Sequence, residues 1–461
     1  MEIKKVDVAI VGLGPAGIAA ADVLGDTDTL AVRCFDMGPA ANNRFCTVLD
    51  NKGCLRRKGC HVLSGFGGSS LLSGGKISTL PAGSGLKEIA DSEEYVEDKM
   101  SESLQWFQDR FKMREPTFSD QTIEKAEESY DDVGFGFKYY DAYIIEENEE
   151  DVKNTYADIR SDLAEKGVEM SFNTKVTSLT RTESNTFELQ LLTEDGESTA
   201  IADNVILGVG IPGRELVDTL NNQFGIDAPP SKVELGVRLE FPKELYPEID
   251  AAHNDLKLKV NDARTFCMCK GGKLAPYWHE GISILDGHVD QHDETDLTNF
   301  GIRVRMPPDE KNGTLYKTTK HRLREMSNGV IVRQRLIDYL SEVPPTKDAQ
   351  IESSVKYWQW GDINQLFPDP VSQKVRENTE YFVSNLLSDE YRDRVSVYAP
   401  GLYYTGYRFD VNPDYSVLRG LYVVGECTGR MRGILQSFCS GRICAENILN
   451  QSLKDQENHS P

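Results

Sequence analysis

The chain has 461 residues, 39% hydrophobic and 27% charged, which suits a folded protein of two or three domains with a sizeable core. Its formal net charge of -23 sets the averaged field against phosphate backbones and anionic lipid, which excludes nucleic acid and membrane as default partners and leaves a small-molecule substrate. No apolar run approaches the ~18 residues of a bilayer span, and nine cysteines in a long acidic chain read as free thiols, so a cytoplasmic protein is expected; its oligomeric state is not legible.

In chain order, the first signal is KVDVAIV at 5–11, a β-branched apolar run that reads as a buried parallel strand. The apolar run behind the lysines of MEIKK is short and broken by glycine, so it reads as strand rather than as a secretory leader. Gly12-Leu13-Gly14-Pro15-Ala16-Gly17 and the helical IAAADVL follow, giving strand, G-x-G-x-x-G, helix. Gly12 permits the tight turn, Gly14 admits a pyrophosphate, and Gly17 lets the helix sit close to the strand. A second strand, LAVRCFD, ends at Asp36 beside Met37, where an acid is expected to meet a ribose hydroxyl. This is a Rossmann-type dinucleotide-binding pattern, and by itself it does not separate NAD from FAD. Next, Cys46, Cys54 and Cys60 are spaced C-x7-C-x5-C, which matches no tight metal knuckle, and no metal is expected.

GCHVLSGFGGSSLLSGGKIS at 59–78 then gathers glycine and serine around Lys76. A Walker A loop fails here, because Ser70 stands where its first glycine belongs and Ile77 follows the lysine. A flexible linker fails too, since Val62, Leu63, Phe66, Leu71, Leu72 and Ile77 interleave the small residues. Cys60, Gly65, Gly67, Gly68, Ser69, Ser73, Gly75 and Lys76 resemble the second glycine-rich motif of a broad family of FAD-dependent dehydrogenases among the glutathione-reductase-like flavoproteins. Two residues depart from that motif: Ser70 replaces a glycine and Gly74 an aspartate. The resemblance implies FAD, with Gly67, Gly68, Ser69, Ser73 and Lys76 among its contacts.

The acidic runs at 91–103 and 144–154 read as solvated helix faces. A helix from 152 to 167 precedes a strand, a small β-meander turning at Asp195-Gly196, and a return strand ending in Gly208-Val209-Gly210-Ile211-Pro212-Gly213. The resemblance implies that backbone near Val176 meets the adenine and that Gly208 and Gly210 run past FAD. The second G-x-G-x-x-G, with Glu234 as its ribose acid, is the competing reading of a nicotinamide site. VELGVRLEFP (233–242), ARTFCMCKGGKL (263–274) and TDLTNFGIRV (295–304) also look like that family, and Cys267 and Cys269 alternate onto one strand face as small buried hydrophobes. Finally, RGLYVVGECTGRMRGILQSFCSGRICAENIL (419–449) is strand, glycines, helix. By resemblance Gly425 and Glu426 close on the ribityl and pyrophosphate, while Gly433, Ile434, Leu435 and Gln436 bring a helix N-terminus to the flavin.

These elements predict an α/β chain. A discontinuous Rossmann-type FAD-binding domain with a β-meander takes 1–85, 146–215 and 396–450; an inserted α+β substrate or cap domain takes 86–145 and 216–395; and 451–461 form a disordered tail. Lys76, His61, His279 and Tyr404 are the candidate catalytic side chains, chosen for proton-transfer chemistry near the expected flavin. The expected function is that of an FAD-dependent oxidoreductase, a dehydrogenase or reductase moving a hydride between a small organic substrate and flavin. An FAD-dependent monooxygenase using NAD(P)H and oxygen, and a non-catalytic flavin-binding or scaffold protein, are the alternatives.

Overall fold

Strand Lys5–Val11 is buried along almost its whole length, as a strand covered on both faces of a parallel sheet must be. In the computed structural model, which describes residues 5–27, 29–72, 75–90, 92–290, 292–347, 350–387 and 389–459, it lies at the centre of an eight-stranded sheet. Strands 421–423, 196–207, 5–11, 32–35 and 169–171 run parallel in that order. Strands 175–181, 187–193 and 196–207 form the antiparallel meander, with its turn where Asp195-Gly196 placed it. The chain winds from 5–11 toward 32–35 on one side, while 196–207 and 421–423 lie on the other. The carboxyl ends of 5–11 and 196–207 therefore flank a topological switch point, where open α/β sheets bind ligands. Helix Pro15–Gly25 crosses the C-terminal helix Ile434–His459 so closely that a Cβ on Gly441 would stand 2.0 Å from the Ala16 carbonyl oxygen.

A second eight-stranded sheet runs 359–360, 332–335, 396–404, 233–242, 297–306, 263–270, 258–260, 136–137, antiparallel apart from its first pair. Its apolar face, with Val233, Leu235, Val237, Ile302 and Val397, forms a separate core against helix Val371–Leu386. Hairpin 273–279/282–288 stands beside it, and strands 76–78, 142–145 and 113–114 make a small third sheet.

Three boundaries differ from the sequence reading. Strand Ser396–Tyr404, assigned above to the cofactor domain, pairs with 233–242 in the second sheet and buries Val397, Ala399 and Leu402 in its core. Helix Glu93–Gln108, assigned to the cap, carries Val96, Met100, Trp106 and Phe107 into the first core, where the Trp106 ring centroid lies 4.5 Å from that of Phe438. The apolar stripe at helical spacing decides where this helix docks. The tail expected to be disordered from 451 continues the C-terminal helix to His459, because this stretch has no glycine or proline to end it and several good helix formers. Among the described residues no helix is long and apolar enough to cross a membrane.

Candidate cofactor and substrate cleft

The two glycine turns leave the sheet side by side. Gly12 adopts φ +94°, and a Cβ there would stand 2.5 Å from the Gly208 carbonyl oxygen, so only glycine fits between the turns. A Cβ on Gly17 would stand 1.8 Å from the Gly12 carbonyl oxygen, which seats helix Pro15–Gly25 directly on the turn. That helix begins with Pro15 after Gly14, and no side chain caps it. Its unpaired backbone N–H groups therefore face outward and are available to an anion.

The turns open into a cleft with a volume of about 1110 Å³, above the ~300–1,000 Å³ usual for a small-ligand pocket. Gly12, Gly14, Pro15, Ala16, Asp36 and Met37 line it. So do Gly68, Ser69, Lys76, Val176, Gly208 and Gly210, and at the C-terminal segment Gly425, Glu426, Gly433, Ile434 and Gln436. Three further residues of the expected cofactor set lie elsewhere. Gly17 is the helix seat, Leu435 is buried in the first core, and Gly67 backs onto the Tyr156 ring. Ser73, like the neighbouring Gly74, falls outside the described residues.

Asp36 does structural work beside the ribose contact expected of it. Its carboxylate accepts the backbone N–H groups of Leu13 (2.7 Å), Gly38 (2.8 Å) and Gly65 (2.8 Å), using most of its acceptor capacity to tie the first glycine turn to the second glycine motif. Arg44, which no sequence motif singled out, completes the clamp. Its buried guanidinium donates to the carbonyl oxygens of Phe66 (2.7 Å), Gly68 (2.7 Å) and His61 (3.0 Å), and burial lowers its pKa to about 10. Ser70, the departure from the family motif, points away from the cleft: its hydroxyl donates to the Gly67 carbonyl and lies 2.5 Å from the Tyr156 hydroxyl.

The second sheet forms the facing wall. Pairing of 233–242 with 297–306 sets Glu234 opposite Arg305, and Arg264 on the next strand donates to both Glu234 oxygens at 2.7 and 2.9 Å. Arg305 adds a bond at 3.1 Å, and the neighbouring guanidiniums hold the fully buried carboxyl well below its usual range against the opposing cost of burial. Glu234 is thus committed to arginine, which removes it as the ribose acid of a second nucleotide site. Phe266 carries the guanidiniums of Arg303 and Arg432 over its ring, with their carbons 4.0 and 3.9 Å from the centroid. Strand 263–270 bulges at Cys267, whose φ is +43°. The bulge turns Cys267 and Cys269 both toward the cleft, and burial pushes the Cys267 thiol up to about 12, where it is inert.

Of the four catalytic candidates only Lys76 lines the cleft. Its ammonium donates to the Met268 carbonyl at 2.5 Å and lies 3.4 Å from Asp255, which Lys257 approaches to 2.8 Å from the other side. The lysines hold the Asp255 carboxyl well below its usual range despite its burial. The His61 ring is held near Phe45 and Arg57 behind the glycine motif; burial and the neighbouring arginines lower it to about 4. His279 lies 3.6 Å from Glu280 in a buried cluster outside the cleft, and burial lowers it to about 4. Tyr404 packs on Tyr316 with ring centroids 5.3 Å apart. Its neighbour Tyr403 is the one that reaches the cleft, because successive strand residues face opposite sides.

Four buried polar atoms on the cleft wall have no hydrogen-bond partner among the described residues: Ser64 Oγ, Arg264 Nε, Arg432 Nη1, and Oε1 of Gln436, whose Nε2 is fixed by the carbonyls of Ser78 and Ala82. Such atoms cost stability unless a ligand or water satisfies them. Two helix starts, two glycine turns and these unpaired atoms fit an elongated dinucleotide. No protein-family model matches the chain, and no curated protein does. Solved structures do. A flavoprotein/dehydrogenase from Cytophaga hutchinsonii is 12% identical at TM-score 0.40, the match covering 98% of this chain and 79% of that one. L-proline dehydrogenase from P. horikoshii is 11% identical at TM-score 0.39, with 98% and 95% covered. Anhydrotetracycline hydroxylase from Streptomyces rimosus is 11% identical at TM-score 0.38; the match takes in 97% of this chain but spans only 63% of the hydroxylase.

Proposed function

We propose that the chain is an FAD-dependent oxidoreductase. The observation that carries this reading is the convergence of three distant segments on one cleft: the turn at 12–17, the motif around Gly68 and Ser69, and the helix start at Gly433 and Ile434. A nicotinamide nucleotide alone would leave the C-terminal segment without a role. When bound, FAD would supply hydride exchange, and the chain would supply the rest. Gly12, Gly14 and the N-terminus of helix Pro15–Gly25 would hold the pyrophosphate. Gln436 and Ser64 would offer their free polar atoms, and the second sheet would cover the site against water. Lys76, fixed between Met268 and Asp255, is the side chain that would hold a proton at the cleft wall.

In the finer reading, bound FAD would supply hydride exchange with a small organic substrate, and Phe266 and Tyr403 would line the space that holds that substrate. Purified protein is expected to be yellow, with FAD released on denaturation at about one per chain. Colourless protein that takes up no added FAD would reject the function. Anaerobic bleaching by an organic donor, without NADH or NADPH, supports the dehydrogenase. Bleaching by a nicotinamide nucleotide followed by oxygen consumption supports the monooxygenase.

A further inference from the structure

The charge of the cleft runs against that of the chain. Overall 74 acidic residues outnumber 51 lysines and arginines, yet the cleft is lined by 11 lysines and arginines and eight aspartates and glutamates. Several of those acids are already used: Asp36 by backbone donors, Asp255 by Lys76 and Lys257, Asp286 by Arg238 at 3.2 Å.

The excess is concentrated where the second sheet meets the mouth. Arg264, Arg305, Lys232 and Lys138 gather there around one carboxylate, Glu234. Arg264 Nε is buried with no partner among the described residues. Among the described residues the Lys138 ammonium donates only to the Pro81 carbonyl, at 2.9 Å. Burial, then Arg264 and Arg305, lowers the Lys138 pKa, and no carboxylate opposes them. For Lys232, burial and the cations Arg305, Arg264 and Arg408 act against the proton, and Glu234 is the one acid among the main contributors. Like charges confined around a single acid at the edge of a low-dielectric cleft attract an anion strongly, and guanidinium groups match the planar geometry of a carboxylate.

We propose that the substrate is an organic carboxylate whose acid group is held by Arg264, Arg305, Lys232 and Lys138; this rests on the flavin reading above. Aromatic Phe266 and Tyr403 lie further in, beside the second-sheet wall, so the acid group anchors one end and leaves the body of the molecule to reach the interior.

The test titrates FAD-loaded protein with benzoate, phenylacetate and glutarate, with neutral benzamide and NADPH alongside. Flavin absorbance and thermal unfolding are both recorded. At least one carboxylate is expected to give a saturable change and benzamide none. Lys138→Gln combined with Lys232→Gln should weaken that carboxylate about tenfold or more, since a charge-assisted contact is lost at each position, while FAD content stays at the parent level. Glu234→Gln, which removes the competing acid, should tighten it severalfold. Equal response to benzamide, unchanged affinity in the yellow double variant, or silence from all three carboxylates would overturn the proposal. Binding of NADPH without any carboxylate would also overturn it, assigning the cations to a nucleotide phosphate. Colourless protein defeats the flavin reading instead, and thermal unfolding with and without the carboxylates then still reports on the anion site.

Discussion

The two walls of the cleft recognise by different means. On the parallel-sheet side the groups offered to a ligand are mostly backbone, at Gly12, Gly14, Gly208 and Gly433, and two charged side chains there, Asp36 and Arg44, are turned inward onto the protein's own loops. On the antiparallel side the offer is made by side chains: Glu234, Arg264, Arg305, Phe266 and Tyr403. Backbone recognition requires small residues at fixed local spacing, and so it writes itself into the sequence as a motif. Side-chain recognition is assembled from strands distant in sequence, and leaves no local signature.

The largest expected effect separates architecture from binding on the backbone side. Gly17→Ala places a methyl 1.8 Å from the Gly12 carbonyl oxygen, a backbone clash that must displace the helix, and should destabilise the protein by more than about 4 kcal/mol. A Cβ on Gly14 meets nothing nearer than the Gly68 Cα at 3.7 Å, and φ there is −76°, so Gly14→Ala should fold normally. Gly14→Val should also fold but lose FAD, because its methyls fill the space left for the pyrophosphate. Calorimetry and flavin content read the two effects separately. A yellow Gly14→Val protein would remove the cofactor from this turn.

That contrast also explains what was legible. Strand Lys5–Val11, the turn after it, the meander and the C-terminal strand and helix could be read because each is a local pattern of period two, period 3.6 or glycine spacing. Asp36 is legible by its position, but its bonds to three backbone donors from separate loops cannot be seen from spacing. Tyr404 was chosen and Tyr403 missed for want of one bit of information, the parity of a strand whose partner lies more than 150 residues earlier, opposite Val233 and Glu234. Arg264, Arg305 and Glu234 become one constellation only through register, and the pairing of strand 396–404 with 233–242 is likewise a long-range contact that no local pattern announces.

A smaller effect, of pH, should come from the antiparallel side. His253 is fully buried behind Tyr140, with Nδ1 accepting the Asp255 N–H at 2.8 Å. Burial first, then Lys257 and Lys76, lowers its pKa from 6.5 to about 4 against the pull of Asp255. Between those two values the unfolded chain binds the proton and the folded one does not. The stabilisation is therefore complete above about pH 6.5 and drains away as pH falls toward 4, by on the order of 3 kcal/mol at most. Asp218, raised to about 6 by burial, works with the opposite sign, so the informative quantity is the difference between parent and His253→Asn. The variant should lose less stability than the parent on acidification, and parallel profiles would sink the assignment.

The smallest effect tests whether a departure from the family motif belongs to the chemistry or to the packing. Ser70 is buried, and its hydroxyl satisfies the Gly67 carbonyl while meeting the hydroxyl of Tyr156, whose pKa burial raises to about 12. Ser70→Gly restores the glycine of the resembling family but strips a partner from two buried polar groups, at a cost of about 1 kcal/mol. Because the side chain points away from the cleft, FAD content and the rate of flavin reduction should match the parent while the unfolding midpoint falls by a few degrees. Tyr156→Phe should behave alike, since it removes the other half of the same pair. A Ser70→Gly protein that keeps its stability but binds FAD less tightly would put the hydroxyl at the ligand, and would make the backbone wall recognise by side chain as the facing wall does.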